Sequence, residues 1–338
     1  MGVDRAYVPA LFRGEMEPAT IQAYLEQELL AISRTFAEVT ELELRPIFAP
    51  PQKPRDGMIV YADGTTWNPG AGEGPYSYVN GAWVKMAPMT GSLELYVRTD
   101  GNDGNNGLEN TAAGAFLTIQ AAFDAALQYP LSGEEIRIIV GPGTYSAGVS
   151  IHTPIAGRIV IRGDTTTPSN CVISVTGAHC FMVDYPGSIL WLGGFKVVSS
   201  GGYGVYAENG GQIVVYEKME YGNAFYQIVA ASGGKIWITM NYSITGGGSH
   251  HYYSTRGGLI QVAGITITGS GAQAFSIFVN CDGVSLTSVF STTITGAGSF
   301  TGQRYSASTN GVIYTATGNV NFFPGNVAGS VGSGGVYN

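Results

Sequence analysis

Charge is what this sequence has least of. Lys, Arg, Asp and Glu make up 12% of its 338 residues, about half the usual share. Acids outnumber bases 24 to 16, for a formal net charge of -8. A basic face of the kind that nucleic acid or an anionic membrane requires is therefore missing, and neither is expected as a partner. Cysteine is scarce too. Cys171, Cys180 and Cys281 make no disulfide framework and match no zinc spacing. They read as small buried hydrophobes of a chain made in a reducing cytosol. No apolar run reaches the roughly 18 residues of a membrane span, which predicts a soluble chain without membrane insertion. Residues 1–15 carry acids and arginines but no apolar stretch of a secretory leader, so none is expected.

Glycine (50) and tyrosine (20) are abundant instead, and the glycines recur periodically. A unit Gly-x-Ile-x-apolar begins at Gly187, Gly211, Gly234 and Gly258, and variants of it begin at Asp282 and Gly311. Its third position runs Ile189, Ile213, Ile236, Ile260, Val284, Ile313, in steps of 24, 23, 24, 24 and 29 residues. That period is one coil of a solenoid, not a domain. About eight residues on lies a second column (Val197, Tyr221, Ile244, Ile267, Ile294), and beyond it a third (Val205, Ile228, Tyr252). The fold class expected is all-β: a right-handed parallel β-helix with three strands per coil and about seven coils, spanning 93–320. The 29-residue step predicts that the last coil loosens into a glycine-rich tail, 321–338.

Upstream, an amphipathic helix over 115–127 puts Phe116, Ile119, Phe123 and Leu127 on one face, suited to capping the open end of the solenoid. Residues 56–92 read as a small β-hairpin module with turns at Asp63-Gly64 and Asn80-Gly81. A proline-rich linker, 46–55, precedes it. Within the N-terminal segment 1–45, residues 17–40 form an α-helix whose Leu25, Leu29, Ile32, Phe36 and Val39 follow heptad spacing. Two heptads do not hold chains together unaided. The seam can pack on another chain or on the body of the protein.

The run from Leu95 to Gly107 (LYVRTDGNDGNNG), then Phe116 to Ala126 and Gly141-Pro-Gly-Thr-Tyr145, resembles the start of the pectate-lyase-like right-handed β-helix of tailed-phage spikes. The segments Asp56 to Gly70 and Asn80 to Lys85 are similar to a small module of phage and prophage structural proteins. The resemblance implies a virion appendage, a head or tail spike or fibre or its base. It would be trimeric and made in the bacterial cytoplasm, with its N-terminal section held by other virion proteins. Its role would be attachment to the host surface, with a surface glycan as candidate partner, or anchoring of another receptor-binding protein. Fold alone does not decide function.

Catalytic candidates are few. Pectate lyases of this fold use acids that hold calcium and an arginine base, yet from Gly187 onward the only acids are Glu208, Glu217, Glu220 and Asp282. A glycoside hydrolase needs two carboxylates about 5 to 9 Å apart. Asp184 and Glu208, three residues before Gly187 and Gly211, are the pair the repeat stacks on adjacent coils. Their turn sequences also suit solvated residues bonding their own backbone. They carry the alternative reading, a host-polysaccharide depolymerase. Asp100-Gly-Asn-Asp-Gly104 lacks the distal glutamate of a calcium loop. Adjacent His250 and His251 point to opposite faces of a strand and cannot share a metal. No metal or cofactor is expected. If Ile213 and Val215 point inward, then Leu190, Val214, Trp237, Gln261, Ser285 and Tyr314 form an outward row. Its apolar members Leu190, Val214 and Trp237 predict an inter-subunit contact, as do Leu25, Leu29, Ile32 and Phe36 of the helix. Tyrosines 203, 206, 221, 226, 242, 252, 253 and 305 are candidate sugar platforms.

Overall fold

The computed structural model describes residues 17–40, 44–70, 72–86, 92–129 and 135–338, with 33–40 and 297 in backbone only. The chain divides into two compact units, 1–87 and 88–338.

In the first unit the N-terminal helix spans Pro18–Thr40, and its first turn closes on the Glu17 carbonyl. Leu25 and Leu29 are 51% and 64% exposed, and Ile32 is half-buried. Phe36 and Val39 lie outside the described side chains. Strands Ile59–Ala62, Gly74–Val79 and Ala82–Lys85 pair antiparallel. The last two meet at Asn80-Gly81, both with positive φ, the tight turn that the right-handed twist of a hairpin favours. The Asp63-Gly64 site is instead the start of a long loop. Asp63 holds it by accepting bonds from the backbone N–H groups of Thr66 and Trp67 and from the Thr65 hydroxyl. Pro46–Ile47, in the proline-rich stretch, adds a parallel edge strand.

The second unit is a parallel β-solenoid of about eight turns. One wall is a ten-stranded sheet running from Leu93–Val97 to Val336–Tyr337. The other is a thirteen-stranded sheet, in which the second and third strands of a coil fuse into long bent strands such as Lys196–Ala207 and Met219–Ala231. The capping helix is shorter than expected, Ile119–Ala126, with Thr118 as N-cap. Phe116 precedes it and pairs with Val97 in an isolated parallel bridge. Asp103 accepts bonds from Leu117 N, Thr118 N and the Thr118 hydroxyl, while Asp100 is bound in a bidentate pair by Arg98. Both acids of the Asp100-to-Gly104 loop are thus engaged, Asp103 in holding the start of the cap and Asp100 with Arg98.

Register corrects the first column. Leu190, not Ile189, pairs with Ile213, and the series continues Ile236, Ile260, Thr287, Ile313, Tyr337. Its steps are 23, 23, 24, 27, 26 and 24 residues. The cause of the first slip is one extra residue in the turn Asp184-Tyr185-Pro186-Gly187-Ser188, and a one-residue slip sends every side chain to the opposite face. Val284 likewise leaves the core and is 73% exposed. The last coil does not loosen: Ser330–Val331 and Val336–Tyr337 pair on the coil before them. In the second column Ile267 pairs with Tyr242, not Ile244. The third column stands as read and continues into Val279 and Tyr305.

The periodic glycine has a steric cause. Gly211, Gly234, Gly258, Gly311 and Gly335 each follow a two-residue turn, and a Cβ there would meet a backbone carbonyl of the preceding coil at 2.4, 2.2, 2.0, 2.3 and 2.3 Å. Both turn residues before this glycine are left-handed, as in Asn209-Gly210, Ser232-Gly233 and Arg256-Gly257. In one coil Val284 holds the second of these positions at φ 61, a conformation that costs a β-branched residue on the order of 1–2 kcal/mol. Replacing Val284 by Gly relieves it. The gain, offset by the unfolded-state freedom of glycine, is expected to be up to about 1 kcal/mol. Denaturant unfolding midpoints of the two proteins measure it.

Candidate functional site

The corner between the second and third strands of each coil is uneven. The equivalent spans Val197–Tyr203, Tyr221–Tyr226, Ile244–His250 and Gly269–Ile277 take six, five, six and eight steps. The shortest of these corners is therefore recessed between longer ones. An open groove of about 500 Å³ lies there, within the range of small-ligand sites. Phe225, 48% exposed, lines it together with Ser199, Asn223, Ser249 and Gln273, and the other lining residues are Gly or Ala. None of the lining side chains is titratable. Asn223 Oδ1 accepts from Gly247 N at 2.9 Å and Gln273 Nε2 donates to Ser270 O at 2.8 Å, so both amides are oriented. A second cavity, about 170 Å³ beside the capping helix, is too small for a ligand of that class.

Next to the groove, Phe225 packs on Tyr226 at 4.4 Å between ring centroids. Tyr226 belongs to a ladder along the solenoid: His179 on Tyr203 at 4.5 Å, Tyr203 on Tyr226 at 5.0 Å, Tyr226 on His250 at 4.8 Å. Rings stacked face to face on successive coils cover each other's faces and leave only edges to solvent. The ladder therefore braces the coils and is not a stacking platform. Burial lowers the pKa of both His179 and His250, keeping these imidazoles neutral at pH 7. Of the other tyrosines, Tyr221, Tyr242 and Tyr252 are in the core, Tyr305 stacks on Tyr337, and Tyr206 and Tyr253 pack edge-on against the ladder. The exposed ring at the groove, Phe225, is one that sequence reasoning passed over. Its only signal was an aromatic at the shortest corner.

Asp184 and Glu208 do occupy equivalent places on adjacent coils, following the paired residues Val183 and Ala207. Each has a different basic side chain as its partner, however. Asp184 Oδ1 lies 3.1 Å from His152 Nδ1, and Glu208 Oε1 lies 3.6 Å from Arg256. Asp282 belongs to the same turn column and accepts from the Tyr253 and Thr255 hydroxyls. Of the expected contact row, Leu190 is fully buried in the core. Trp191 takes its place in the outward row, with Val214, Trp237, Gln261, Ser288 and Tyr314. Ser285 falls in the column of the periodic glycine. Val214 is only 9% exposed between its neighbours, and the Arg158 guanidinium sits 4.1 Å above the Trp191 ring.

The two adjacent histidines face opposite ways, His250 in the outer ladder and His251 wholly inside. His251 Nδ1 donates to Gln227 Oε1 at 2.5 Å, and its Nε2 accepts from the Tyr242 hydroxyl at 2.7 Å. The Tyr242 hydroxyl in turn bonds that of Tyr252. Gln227 Nε2 donates to Gly222 O and Gly246 O. Burial depresses the His251 pKa to about 3.

Among the described residues no helix is long and apolar enough to cross a membrane, and no cluster of three or more His, Cys, Asp or Glu forms a metal site. What the structure defines is the class, a parallel β-solenoid. Comparison with protein-family models, with curated proteins and with solved structures finds no match.

Proposed function

We propose that this chain is a non-enzymatic appendage protein of a tailed-phage particle or a particle of phage descent. Its N-terminal helix assembles and anchors it, and its solenoid meets the host surface or holds another receptor-binding protein. The observation that carries the reading is the pairing of an exposed heptad seam, with Leu25 and Leu29 more than half in solvent, with a stiff solenoid. Exposed leucines at heptad spacing call for partner helices. The outward row at Trp191 and Trp237, with Val214 closed off between them, supplies the second contact, between neighbouring copies around a threefold axis. The depolymerase alternative is disfavoured because Asp184 and Glu208 are each already engaged by a separate basic side chain, His152 and Arg256.

Light scattering on the full chain tests the assembly. A trimer is expected, and Leu25→Asp with Leu29→Asp is expected to release monomers while leaving the solenoid's thermal transition in place. A wild-type monomer overturns the assembly reading. Release of reducing ends from bacterial polysaccharide would favour the depolymerase.

A further inference from the structure

Resting on that attachment reading, we propose that the corner groove over Phe225 is a binding site for a neutral glycan. Four features of the groove fit that chemistry together. Its volume, about 500 Å³, admits a short oligosaccharide, and the groove is open to solvent. Phe225, half exposed, offers an apolar ring to the C–H face of a pyranose. Asn223, Gln273 and Ser249 supply uncharged donors and acceptors for sugar hydroxyls, and two of them are already held in place by bonds to the backbone. The remaining wall is glycine and alanine, so that a ligand approaches the backbone closely.

Charge selects among glycans. With no cation in the lining and a net charge of -8 on the chain, a uronate- or sialate-bearing polymer would lose hydration without gaining a partner. The same lining makes the site one of binding alone, because it holds no acid or base to cleave what it holds. The stacked ring ladder beside it keeps the floor rigid, so little ordering is needed on binding.

The test uses the full chain on a panel of defined oligosaccharides: neutral hexose and N-acetylhexosamine members, and acidic members carrying uronate or sialate. Binding to one or more neutral members is expected. Phe225→Ala is expected to weaken it about tenfold, Gln273→Ala several-fold, and Phe225→Trp to retain it. An unchanged thermal midpoint in each variant shows that the solenoid persists. Binding of no member, binding of acidic members only, or equal binding by Phe225→Ala overturns the proposal. Adsorption to a panel of bacterial strains separates this from the attachment reading. Wild-type adsorption that Phe225→Ala leaves intact removes the groove and keeps attachment. Absent adsorption alongside neutral-glycan binding on the panel removes attachment and keeps the groove.

Discussion

Gly258→Ala is expected to destabilise the solenoid by about 3 kcal/mol, at the upper end of overpacking costs. The added methyl carbon would lie 2.0 Å from the carbonyl oxygen of Ala230 and 2.5 Å from its carbon, both backbone atoms of the preceding coil. Neither can rotate away as a side chain would. Relief requires separating two coils that are hydrogen-bonded at about 4.8 Å on either side of the turn. Ser188 and Ser285 occupy the same column in other coils, and each is buried with its hydroxyl bonded: Ser188 to the Thr153 carbonyl, Ser285 to Gly257 N. Alanine at 258 has no hydroxyl with which to offset the displacement. In a unit of this size the loss corresponds to roughly 6–12 °C in thermal midpoint. Gly298→Ala is the control, since a Cβ there meets nothing within 4 Å. Equal midpoints for the two variants would refute the steric account of the repeat.

Stability is expected to fall on acidification because of His251. Its folded pKa, about 3, lies below its unfolded value, so between those values the unfolded chain binds more protons than the folded one. The contribution is complete above about pH 6.5 and is lost as pH drops, at about 1.4 kcal/mol per pH unit. Roughly 2 kcal/mol should disappear between pH 6.5 and 5, before most carboxylates titrate. The cause is desolvation: the imidazole is fully enclosed by Gln227, Tyr242, Tyr252 and Phe278, none of which carries charge. His179 and His250 shift in the same direction but are less enclosed, so the comparison needed is with His251→Gln. That variant should be less stable at pH 7, yet its midpoint should vary less between pH 7 and 5. An identical pH slope in the two proteins would show that His251 does not govern acid sensitivity.

The two results bear on what could be read in advance. Gly211, Gly234 and Gly258 announced a coil about 24 residues long because every coil brings its turn against the same carbonyl of the coil before. Such a repeated clash leaves a repeated residue. The third column, Val205, Ile228 and Tyr252, was legible for the related reason that each coil fills the same interior position. The first column failed at two coils. An extra residue before Ser188 and the valine at 284 both imitate the motif, and parity in a strand is lost with a single insertion.

Composition and period together determine that this chain is a β-solenoid with little charge, a capping helix and a heptad-spaced N-terminal helix, because each of these is a local or strictly periodic property. Which side of the strand Leu190 and Trp191 face, that Asp184 and Glu208 meet different basic side chains, and that Phe225 stands at a groove were decided only in the folded chain. Those outcomes depend on how many residues each coil takes to round a corner relative to its neighbours. A difference of one residue between coils, invisible in a repeat averaged over the chain, turns a side chain inward or opens a recess beside it.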